Sequence, residues 1–412
     1  MTDVSLTSID LFAGCGGLSL GLHRAGWSGM FAIERDPMAF DTLQSNLVGP
    51  DSAYNAYPDW PEWIARTPHD IDTFLSDEEN KARLRGLRGS VTLVAGGPPC
   101  QGFSVGGARN GADERNHLVH RLLETVEMVQ PKVALIENVE GITRAFKSRP
   151  REDAKDSVAA EVVAAFEKLG YDAAFGIENA SEFGVPQVRK RAIIIGVRKD
   201  IGVSGNDFFG YLDKVREDHL RAHGLPLDRA VTAGEALADL HNPNSRVPCP
   251  DSMNYESSAY IKAAGQYSRE LRKGSRAGSI PDSHRYTKHG DRILELYKKA
   301  HATQPKGRLS KEFLLSMGTK KDKKVLIDPD APVSTITTHP DEFIHYAEPR
   351  NVTVREMARL QSFPDDFRFR GRYTINGPRR KFDVARCSQV GNAVPPLFAE
   401  AIGRALKEML GG

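Results

Sequence analysis

Short apolar segments alternate with amphipathic segments through the first half of this chain, and this alternation constrains its fold most. Parallel strands need long crossover connections, usually helices, whereas antiparallel strands do not. Val158–Leu169 has the apolar spacing of such a helix and ends at Gly170. The pattern therefore predicts an α/β fold with a doubly wound, mostly parallel sheet. The predicted strands are Ser8–Phe12, Met30–Ile33, Val91–Ala95, Val133–Ile136 and Ala192–Val197.

The alternation stops after about residue 240, which predicts a second domain. Residues His241–Asp251 are rich in proline, asparagine and serine and look like a connector. A final helical segment, Pro396–Leu410, is placed to dock back onto the first domain. We therefore expect a larger domain over residues 1–240, completed by 385–412, and a smaller domain over 241–384.

Positive charge is concentrated in one part of the chain. Residues 261–324 contain 17 lysines or arginines and 6 aspartates or glutamates, whereas the remainder contains 39 basic and 48 acidic residues. A basic segment within a mildly acidic chain indicates a polyanionic partner. The alternative is a solvated linker, but the interleaved Tyr267, Tyr286, Tyr297 and Phe313 favour a folded module.

Cysteine spacing and hydropathy exclude several classes of protein. The cysteines form no C-x-x-C pair, so the sequence predicts neither a zinc site nor a disulfide framework. The longest apolar runs are much shorter than a membrane span, and no signal-peptide pattern opens the chain. We expect a cytoplasmic protein with free thiols and no metal. The cysteines are Cys15, Cys100, Cys249 and Cys387.

One cysteine follows a predicted strand in an unusual setting. Gly96–Gln101 reads Gly-Gly-Pro-Pro-Cys-Gln, so Cys100 lies past the carboxyl end of a buried strand. Open α/β sheets place their chemistry at these ends. The prolines restrict the backbone before Cys100, and the glycines allow other groups to approach closely. Taken alone, the loop fits a displayed nucleophile and a chance composition about equally well.

A glycine-rich turn follows the first predicted strand. Asp10–Gly17 runs from the strand into a helix, and such turns let a ligand touch the backbone near free helix N–H groups. Many nucleotide-binding folds share this pattern. Glu34 ends the second predicted strand about twenty residues further on, which is the position of an acid that binds ribose hydroxyls. The alternative for Glu34 is a surface acid that begins a loop.

Two further segments place polar side chains beside predicted strands. Glu137 follows one strand, and a carboxyl near a loop cysteine can act as an acid because burial tends to keep it protonated. Gln187, Arg189 and Arg191 alternate on the approach to the late strand and therefore share one face. Two arginines there can hold an anion or lower a thiol pKa. The alternative is an ordinary basic strand edge.

Two segments near the end of the chain have structural interpretations. Thr353–Pro364 predicts a helix with Thr353 as its N-cap and Glu356 three residues later. Gln389–Pro396 predicts a tight loop before a helix that begins with proline. Neither pattern by itself indicates a chemical role.

In order and spacing, these segments resemble the cytosine-5 DNA methyltransferases. Residues from about 241 to 325 carry no family pattern, which is typical of that family's variable target-recognition region. This variable region, about 245–325, includes the basic segment. The resemblance implies the fold of the S-adenosylmethionine-dependent methyltransferases. The matching sequences are DLFAGCGG, Glu34, GGPPCQGFS, ENV, QVRKR, TVREMARLQSFPDDF and QVGNAVPP.

The resemblance implies S-adenosylmethionine as the methyl donor and S-adenosylhomocysteine as the product. Glu34 would take the ribose hydroxyls, and Asp70 would take the adenine amino group. Family members often have an aromatic residue after the ribose glutamate, whereas this chain has Arg35, whose guanidinium can also stack. The other cofactor residues implied are Phe12, Gly14, Gly16 and Gly17 on the methionine side, with Pro99 and Asn392.

The implied catalytic residues are Cys100, Glu137, Arg189 and Arg191. Cys100 would add as a thiolate to carbon 6 of cytosine, which makes carbon 5 nucleophilic toward the sulfonium methyl group. Glu137 would hydrogen-bond the ring nitrogen and amino group, and the arginines would contact the base carbonyl and phosphate. The sequence does not identify the base that removes the carbon-5 proton; bound water fits as well as a side chain.

The resemblance also implies contacts with double-stranded DNA. Gln101 and Ser104 would belong to a loop that closes over a cytosine rotated out of the duplex, because a stacked base hides its ring carbons. Thr335 would support the recognition region beside that base. The predicted DNA-contacting residues further include Gln187, Lys320, Lys321, Lys323 and Lys324.

Two other functions are open at this level. One is an RNA methyltransferase of the same fold, although Pro-Pro-Cys-Gln and the basic region favour DNA. The other is an inactive DNA-binding regulator, which is expected to have lost the cysteine, the glutamate or the glycines. No long regulatory extension precedes the catalytic core, so we expect a prokaryotic modification enzyme. The target sequence, the oligomeric state and a separately acting restriction endonuclease are left open.

Overall fold

The computed structural model describes residues 6–99, 117–144, 157–263, 265–273, 275–319, 323–374 and 383–411. The chain forms two compact units. The chain passes between them near residues 180, 189, 217 and 397, whereas the sequence predicts domain boundaries at 240 and 385. The first unit comprises Met1–Ala180, Lys190–Glu217 and Phe398–Gly412, and the second comprises Ser181–Arg189 and Asp218–Leu397.

Strands and helices alternate through the first unit as the sequence predicts. In chain order the strands are β1 (Thr7–Leu11), β2 (Ser28–Ile33), β3 (Leu93–Gly96), β4 (Val133–Val139), β5 (Tyr171–Asn179), β6 (Gln187–Val188, in the second unit) and β7 (Lys190–Arg198). The helices are α1 (Gly17–Arg24), α2 (Pro37–Leu47), α3 (Ile71–Ser76), α4 (Glu78–Gly86), α5 (His117–Val129), α6 (Val158–Lys168) and α7 (Asp207–Ala222), which ends in the second unit. Across the described ranges, no helix combines the length and apolar character needed to cross a membrane.

One six-stranded sheet forms the centre of the first unit, with the strand order β2-β1-β3-β4-β7-β5. Strands β2, β1, β3 and β4 are parallel, and β7 is antiparallel to both of its neighbours. Ala192–Val197 of β7 is buried throughout, as expected for a strand covered on both faces. The predicted doubly wound, mostly parallel α/β sheet is confirmed.

Residues 48–70 contain little regular structure and yet are well packed. Tyr57 and Trp60 are buried, and their ring centroids lie 5.6 Å apart. Gly29 of β2 permits this packing, because a Cβ there would lie 2.4 Å from the Tyr57 ring. Gly29 N also donates to Ala56 O at 2.8 Å. The segment therefore packs beside the edge of β2 before the chain enters α3.

The second unit consists of short strands and helices. Its further strands are β8 (Val247–Cys249), β9 (Ser252–Ser257), β10 (Gly307–Arg308), β11 (Val325–Leu326), β12 (Val333–Ser334) and β13 (Phe343–Ile344). Its further helices are α8 (Ala233–Leu237), α9 (Gln266–Leu271), α10 (Asp291–Thr303), α11 (Lys311–Ser316), α12 (Val354–Leu360) and α13 (Arg386–Asn392). Strand β6 pairs with β12, β8 pairs with β9, and β10, β11 and β13 form a three-stranded sheet.

Helix α14 (Pro396–Met409) returns the chain to the first unit. Trp27 Nε1 donates to Gly403 O at 3.0 Å, and Arg24 Nε lies 3.0 Å from Glu400 Oε2. These contacts join α14 to α1 and the residues that follow it. Residues 398–412 belong to the first unit, whereas residues 385–397, which the sequence also assigns to the first domain, belong to the second unit.

The basic segment 261–324 contributes to the core of the second unit. Tyr297 and Phe313 are buried in one apolar cluster with residues of β11 and β13, and Tyr267 and Tyr286 are also buried. A solvated linker would leave these rings exposed. The aromatic residues therefore predicted a folded module correctly.

Buried charge pairs stabilise the second unit around α12. Arg359 is 0% exposed and donates to Asp239 at 3.0 Å and to Asp365 at 2.6 Å. At the start of the same helix, Thr353 and Glu356 form the predicted capping box. Buried charges are tolerated only where partners compensate the lost hydration. The predicted helix with Thr353 as its N-cap is confirmed.

Replacing Arg359 by alanine should lower the free energy of unfolding by about 3–5 kcal/mol, because two buried aspartates would each lose one of their two neighbouring cations. Urea denaturation monitored by circular dichroism measures this change. The matched control is Arg269→Ala, since Arg269 is exposed in the same unit, and it should change stability by less than about 0.5 kcal/mol. Equal effects of the two substitutions on the free energy of unfolding would contradict a stabilising role of the buried Arg359 ion pairs.

Candidate active site

The carboxyl ends of β1 to β4 lie at the same level across the sheet. One line of paired residues crosses these strands, in sheet order Ile33, Leu11, Gly96 and Ile136. The next residues along the strands are Glu34, Phe12, Gly97 and Glu137. Neighbouring strands lie about 4.8 Å apart, so this row spans roughly 14 Å. Polar residues predicted from separate segments therefore meet at one edge of the sheet.

Residues in left-handed backbone conformations form the turn after β1. Phe12, Gly14 and Gly16 have φ angles of 61°, 58° and 92°. Among the described residues, no atom lies within 4 Å of a Cβ built on Gly14, so the turn borders open space there. Gly16 is the N-cap of α1, which begins at Gly17 and has no side-chain cap. A ligand can therefore approach the backbone of the turn beside Gly14, although Gly14 N and Gly16 N already donate to Glu34 Oε2 and Ala13 O.

Glu34 closes this turn from the end of β2. Its Oε2 accepts a hydrogen bond from Gly14 N at 2.9 Å, and its Oε1 accepts one from Asp36 N at 2.7 Å. Burial raises the pKa of Glu34, and the two backbone hydrogen bonds oppose that rise. A carboxylate oxygen can accept more than one hydrogen bond, so Glu34 keeps the capacity to bind hydroxyl groups. This position fits a ribose-binding acid better than a surface acid.

Asp70 is brought close to Glu34 by the main chain. His69 N donates to Glu34 O at 2.8 Å, which places the start of α3 at the end of β2. Asp70 Oδ1 caps α3 by accepting hydrogen bonds from Asp72 N and Thr73 N at 3.0 and 3.2 Å. The cap uses one carboxylate oxygen, and the other has the chemistry to accept an amino group.

A buried carboxyl lies beneath the glycine turn. Ser19 Oγ donates to Asp10 Oδ2 at 2.5 Å and lies 2.7 Å from Tyr57 OH. Burial, with a smaller effect of Glu34, raises the pKa of Asp10 to about 7. Burial likewise raises the pKa of Cys15 to about 12, which makes this thiol unreactive. The sequence analysis missed the Asp10–Ser19–Tyr57 network, whose one local signal is an acid inside an apolar strand.

Glu137 and Arg191 form a buried ion pair at the end of β4. Arg191 Nε lies 3.0 Å from Glu137 Oε1, and the residues are 9% and 7% exposed. Burial lowers the pKa of Arg191, and the nearby carboxylate opposes that shift. A Cβ built on Gly97 would lie 3.4 Å from Glu137 Oε2. The pair therefore lies against the start of the loop that leads to Cys100.

Asn138 anchors the same loop. Its Nδ2 donates to Pro98 O at 3.1 Å, and its Oδ1 accepts a hydrogen bond from Val139 N at 2.8 Å. These bonds connect the residues after β3 to the end of β4, and they leave Pro99 exposed. The sequence analysis quoted Asn138 only within a family pattern and assigned it no role.

Several predicted site residues keep their status as predictions. Cys100, Gln101, Ser104, Lys320 and Lys321 lie outside the described residues. Of the others, Lys323 and Asn392 are exposed in the second unit, and Asn392 is the last residue of α13. Thr335 Oγ1 donates to Val188 O at 2.9 Å, which ties it to β6.

The prediction that Gln187 contacts DNA is wrong, because its side chain is fully buried. Its Nε2 donates to Gln361 Oε1 at 2.9 Å, and its Oε1 accepts a hydrogen bond from Ile336 N at 2.7 Å. Both ends of the amide are thus used inside the second unit. Gln187 fixes the relative positions of β6, the residues after β12 and the end of α12.

The predicted contact of Arg189 with the base or phosphate is also wrong. Arg189 is 2% exposed and donates to the carbonyl oxygens of Ile336, Gly391 and Ala393 at distances of 3.0 to 3.2 Å. Its guanidinium holds these backbone segments together within the second unit. The predicted alternation is confirmed, since residues 187, 189 and 191 are all buried, but only Arg191 pairs with Glu137.

Lys324 does not belong to a surface lysine cluster, so its predicted contact with phosphate is wrong. It is 2% exposed, and its Nζ donates to Asp341 O at 2.7 Å and to Tyr297 OH at 3.0 Å. The ammonium also lies 4.9 Å from the centre of the Tyr297 ring. Consecutive lysines look alike in sequence, and only the packing distinguishes the buried member.

The parallel sheet with one antiparallel strand, the glycine turn and the acid at the end of β2 define an S-adenosylmethionine-dependent methyltransferase. The C-5 cytosine-specific DNA methylase family matches residues 6–408, and the chain belongs to this family. The sequence-based prediction of a DNA (cytosine-5) methyltransferase is confirmed.

Relatives and solved structures agree with this classification. Type II methyltransferase M1.HphI of Haemophilus parahaemolyticus is 32% identical over 98% of this chain and 88% of its own length. Type II methyltransferase M.DdeI of Desulfomicrobium norvegicum is 30% identical over 96% and 86%. A solved structure described as a DNA modification methyltransferase encoded within an E. coli prophage is 26% identical, with a TM-score of 0.66 over 99% of this chain and 100% of that one.

Asp10 should make the stability of the protein depend on pH. Between about pH 4 and pH 7 the native state holds a proton on Asp10 that the unfolded state has released, so the free energy of unfolding falls as pH rises through this interval. Asp10→Asn removes this contribution, which is about 1.4 kcal/mol per pH unit at most.

Urea denaturation of both proteins between pH 5 and 8 measures the difference. The variant should gain stability relative to the wild type as pH rises, and the gain should level off above about pH 7. Asp51→Asn, at an exposed position, is the control and should show no such trend. A difference between wild type and Asp10→Asn that does not vary with pH would refute the buried, proton-binding state of Asp10.

Proposed function

We propose that this chain transfers a methyl group from S-adenosylmethionine to carbon 5 of a cytosine rotated out of duplex DNA, through a covalent Cys100 adduct. The observation that carries the proposal is the buried Glu137–Arg191 pair, which lies against the start of the loop leading to Cys100. A carboxyl group fixed at that place can hydrogen-bond the edge of a base while a thiolate attacks the ring. Membership of the family supports the same reaction.

The described residues fit S-adenosylmethionine. Glu34 offers a positioned carboxylate, Gly14 borders open space, and Asp70 lies beside Glu34 with an oxygen suited to an amino group. When bound there, S-adenosylmethionine supplies a methyl group made electrophilic by its sulfonium sulfur. Phe12 and the turn up to Gly17 would line its methionine side. Exposed Pro99 would approach it from the cysteine loop.

The proposed reaction balances at cytosine. The Cys100 thiolate forms a bond to carbon 6, and the ring electrons that this bond displaces make carbon 5 nucleophilic. Glu137 hydrogen-bonds the ring nitrogen and amino group, which stabilises the charge that develops on the ring. Carbon 5 then takes the methyl group. Its proton leaves to water or a side-chain base, the ring double bond re-forms, and the sulfur leaves carbon 6 as thiolate.

Arg191 has a positioning role in this proposal. Its guanidinium contacts the Glu137 carboxylate at 3.0 Å in a buried setting, where a charge-assisted contact restricts orientation more than it would in water. The base carbonyl is the further group that its remaining N–H donors could reach. Arg191 therefore aligns the acid that recognises cytosine.

Duplex DNA is the proposed substrate, and a stacked base must leave the helix before its ring carbons can react. The relatives compared above are named type II methyltransferases. We therefore extend the proposal to a modification role, in which methylation protects a sequence from a restriction endonuclease that acts separately.

Glu34→Ala should weaken S-adenosylmethionine binding by about 1.5–3 kcal/mol, the range for hydrogen bonds to a charged group. Isothermal calorimetry with the cofactor measures the change. Glu62→Ala is the control, because Glu62 is an exposed acid in the same unit and should not affect binding. Unaltered affinity in the Glu34 variant would return Glu34 to the surface-acid interpretation.

Cys100→Ser should reduce methyl transfer to duplex DNA below a tenth of the wild-type rate, because a hydroxyl is far less acidic than a thiol. Glu137→Gln should reduce it by about 10²–10³-fold, as expected for loss of a charge-stabilising group. Cofactor binding should be unchanged in both variants. The control is Cys387→Ser, at a buried cysteine of the second unit that has no assigned chemistry.

A DNA substrate distinguishes the covalent mechanism from a general loss of activity. Bisulfite sequencing of DNA from cells expressing the chain first identifies the target cytosine. A duplex with 5-fluorocytosine at that position has no carbon-5 proton to lose, so the wild type should accumulate a denaturation-resistant complex. Cys100→Ser should form none. A resistant complex with the serine variant, or rapid turnover by it, would rule out the Cys100 adduct.

A further inference from the structure

The hairpin of β8 and β9 in the second unit contains an unusual bulge. Pro248 pairs with Glu256 and Cys249 pairs with Ser252, so residues 253–255 have no partners on the opposite strand. Bulges redirect side chains and are frequent beside functional sites. Here the bulge leaves Asn254 exposed and Met253 71% exposed, the highest value among the large apolar side chains that the structure describes.

Cations alternate with tyrosine rings beside this bulge. Lys288 Nζ and the Arg285 guanidinium lie 5.4 and 4.2 Å from the centre of the Tyr255 ring. Arg285 also lies 3.9 Å from the centre of the Tyr373 ring, and Arg386 lies 4.3 Å from the same ring. Contacts of this kind are attractive and restrict the positions of the cations. The hairpin therefore carries a row of positioned positive charges.

The charges in this row differ in how far they are compensated. Arg386 Nη1 forms an ion pair with Asp251 at 2.6 Å. Within the described part of the chain, neither Arg285 nor Lys288 forms an ion pair. Apart from its two ring contacts, Arg285 donates a hydrogen bond to the Ser252 hydroxyl at 3.5 Å. Lys288 is exposed and Arg285 is half-buried. Two positioned cations are thus available to an anion outside the protein.

We propose that this hairpin surface, formed by Met253, Asn254, Tyr255, Arg285 and Lys288, is where the second unit contacts duplex DNA and reads its sequence. The assignment rests on the proposed function. Arg285 and Lys288 bind phosphates, because fixed cations without acidic partners complement a polyanion. Met253 and Asn254 contact base edges, since an amide pairs well with adenine and an apolar group with the methyl group of thymine.

In this assignment the cations of the hairpin determine how tightly DNA binds, and the neighbouring bulge residues determine which sequence is bound. Phosphate contacts position a protein on DNA without reading sequence, whereas contacts to base edges carry sequence information. The hairpin supplies both, because its cations lie beside the two exposed bulge residues. Substitutions of the cations and of the bulge residues should therefore have separable effects.

The affinity test uses the full chain and a duplex that contains the mapped target sequence. Lys288→Ala should weaken DNA binding and make the slope of log K against log salt shallower by about 0.9, the value for one lost phosphate contact. Lys168→Ala, at an exposed lysine of the first unit, is the control and should leave the slope unchanged. An unchanged slope in Lys288→Ala would overturn the phosphate contact.

The specificity test replaces the bulge residues by Met253→Ala and Asn254→Ala, with Leu315→Ala as the control because Leu315 is 61% exposed in the same unit. Methylation of a duplex library with every single-base change in the target is read by bisulfite sequencing. Each bulge variant should lose at least about fivefold discrimination at one or two positions. The control should keep the wild-type pattern, and circular dichroism should show all three folded.

The outcomes distinguish this inference from the function on which it rests. If the wild type methylates cytosine at a defined sequence and both bulge variants keep its full pattern, the hairpin assignment is wrong and the methyltransferase proposal stands. If the wild type transfers no methyl group to duplex DNA, the proposed function is wrong. Relaxed discrimination in the bulge variants with unaltered cofactor affinity supports the assignment.

Discussion

Gly96 sets how closely β3 approaches β1, and the geometry of the candidate site depends on that approach. A Cβ at this position would lie 2.5 Å from Leu11 O and 3.0 Å from Leu122 Cδ1. Glycine therefore allows the strands to pair in register up to their carboxyl ends. That register places Phe12 and Glu137 on one row with the start of the cysteine loop. A larger residue would displace the loop relative to the acid.

The sheet could be predicted from local patterns because its strands are buried on both faces. Such strands are apolar runs, and Ala192–Val197 is an example that the structure reproduces within β7. The position of Glu137 at a strand end was also predictable. Its pairing with Arg191 was not, because it depends on the antiparallel register of β4 with β7, which no local pattern encodes. The Asp10–Ser19 contact was not predictable either, because it depends on how α1 packs against β1.

The incorrect predictions have one physical cause. Gln187 and Arg189 were assigned from the resemblance and Lys324 from a run of lysines, and each assignment requires an exposed side chain, as polar side chains usually are. Each is instead buried with partners contributed by distant segments, such as the carbonyl oxygens of Ile336 and Gly391, which both accept hydrogen bonds from Arg189. A long polar side chain can be buried only where the fold supplies these acceptors. The sequence alone identifies the side chain that donates hydrogen bonds, but it does not show which distant groups accept them.

Arg189 and Arg191 are two positions apart, and each has its partners in a different compact unit. Lys190 between them is exposed, so burial of both arginines requires this spacing. One residue inserted at Lys190 would exchange the buried and exposed positions, as a register slip does in a sheet. Chain length here is thus constrained as strictly as residue type. Family members should therefore differ in length at turns such as Pro250–Asp251. The segment from Arg189 to Arg191, where the chain passes from one unit to the other, should keep its length.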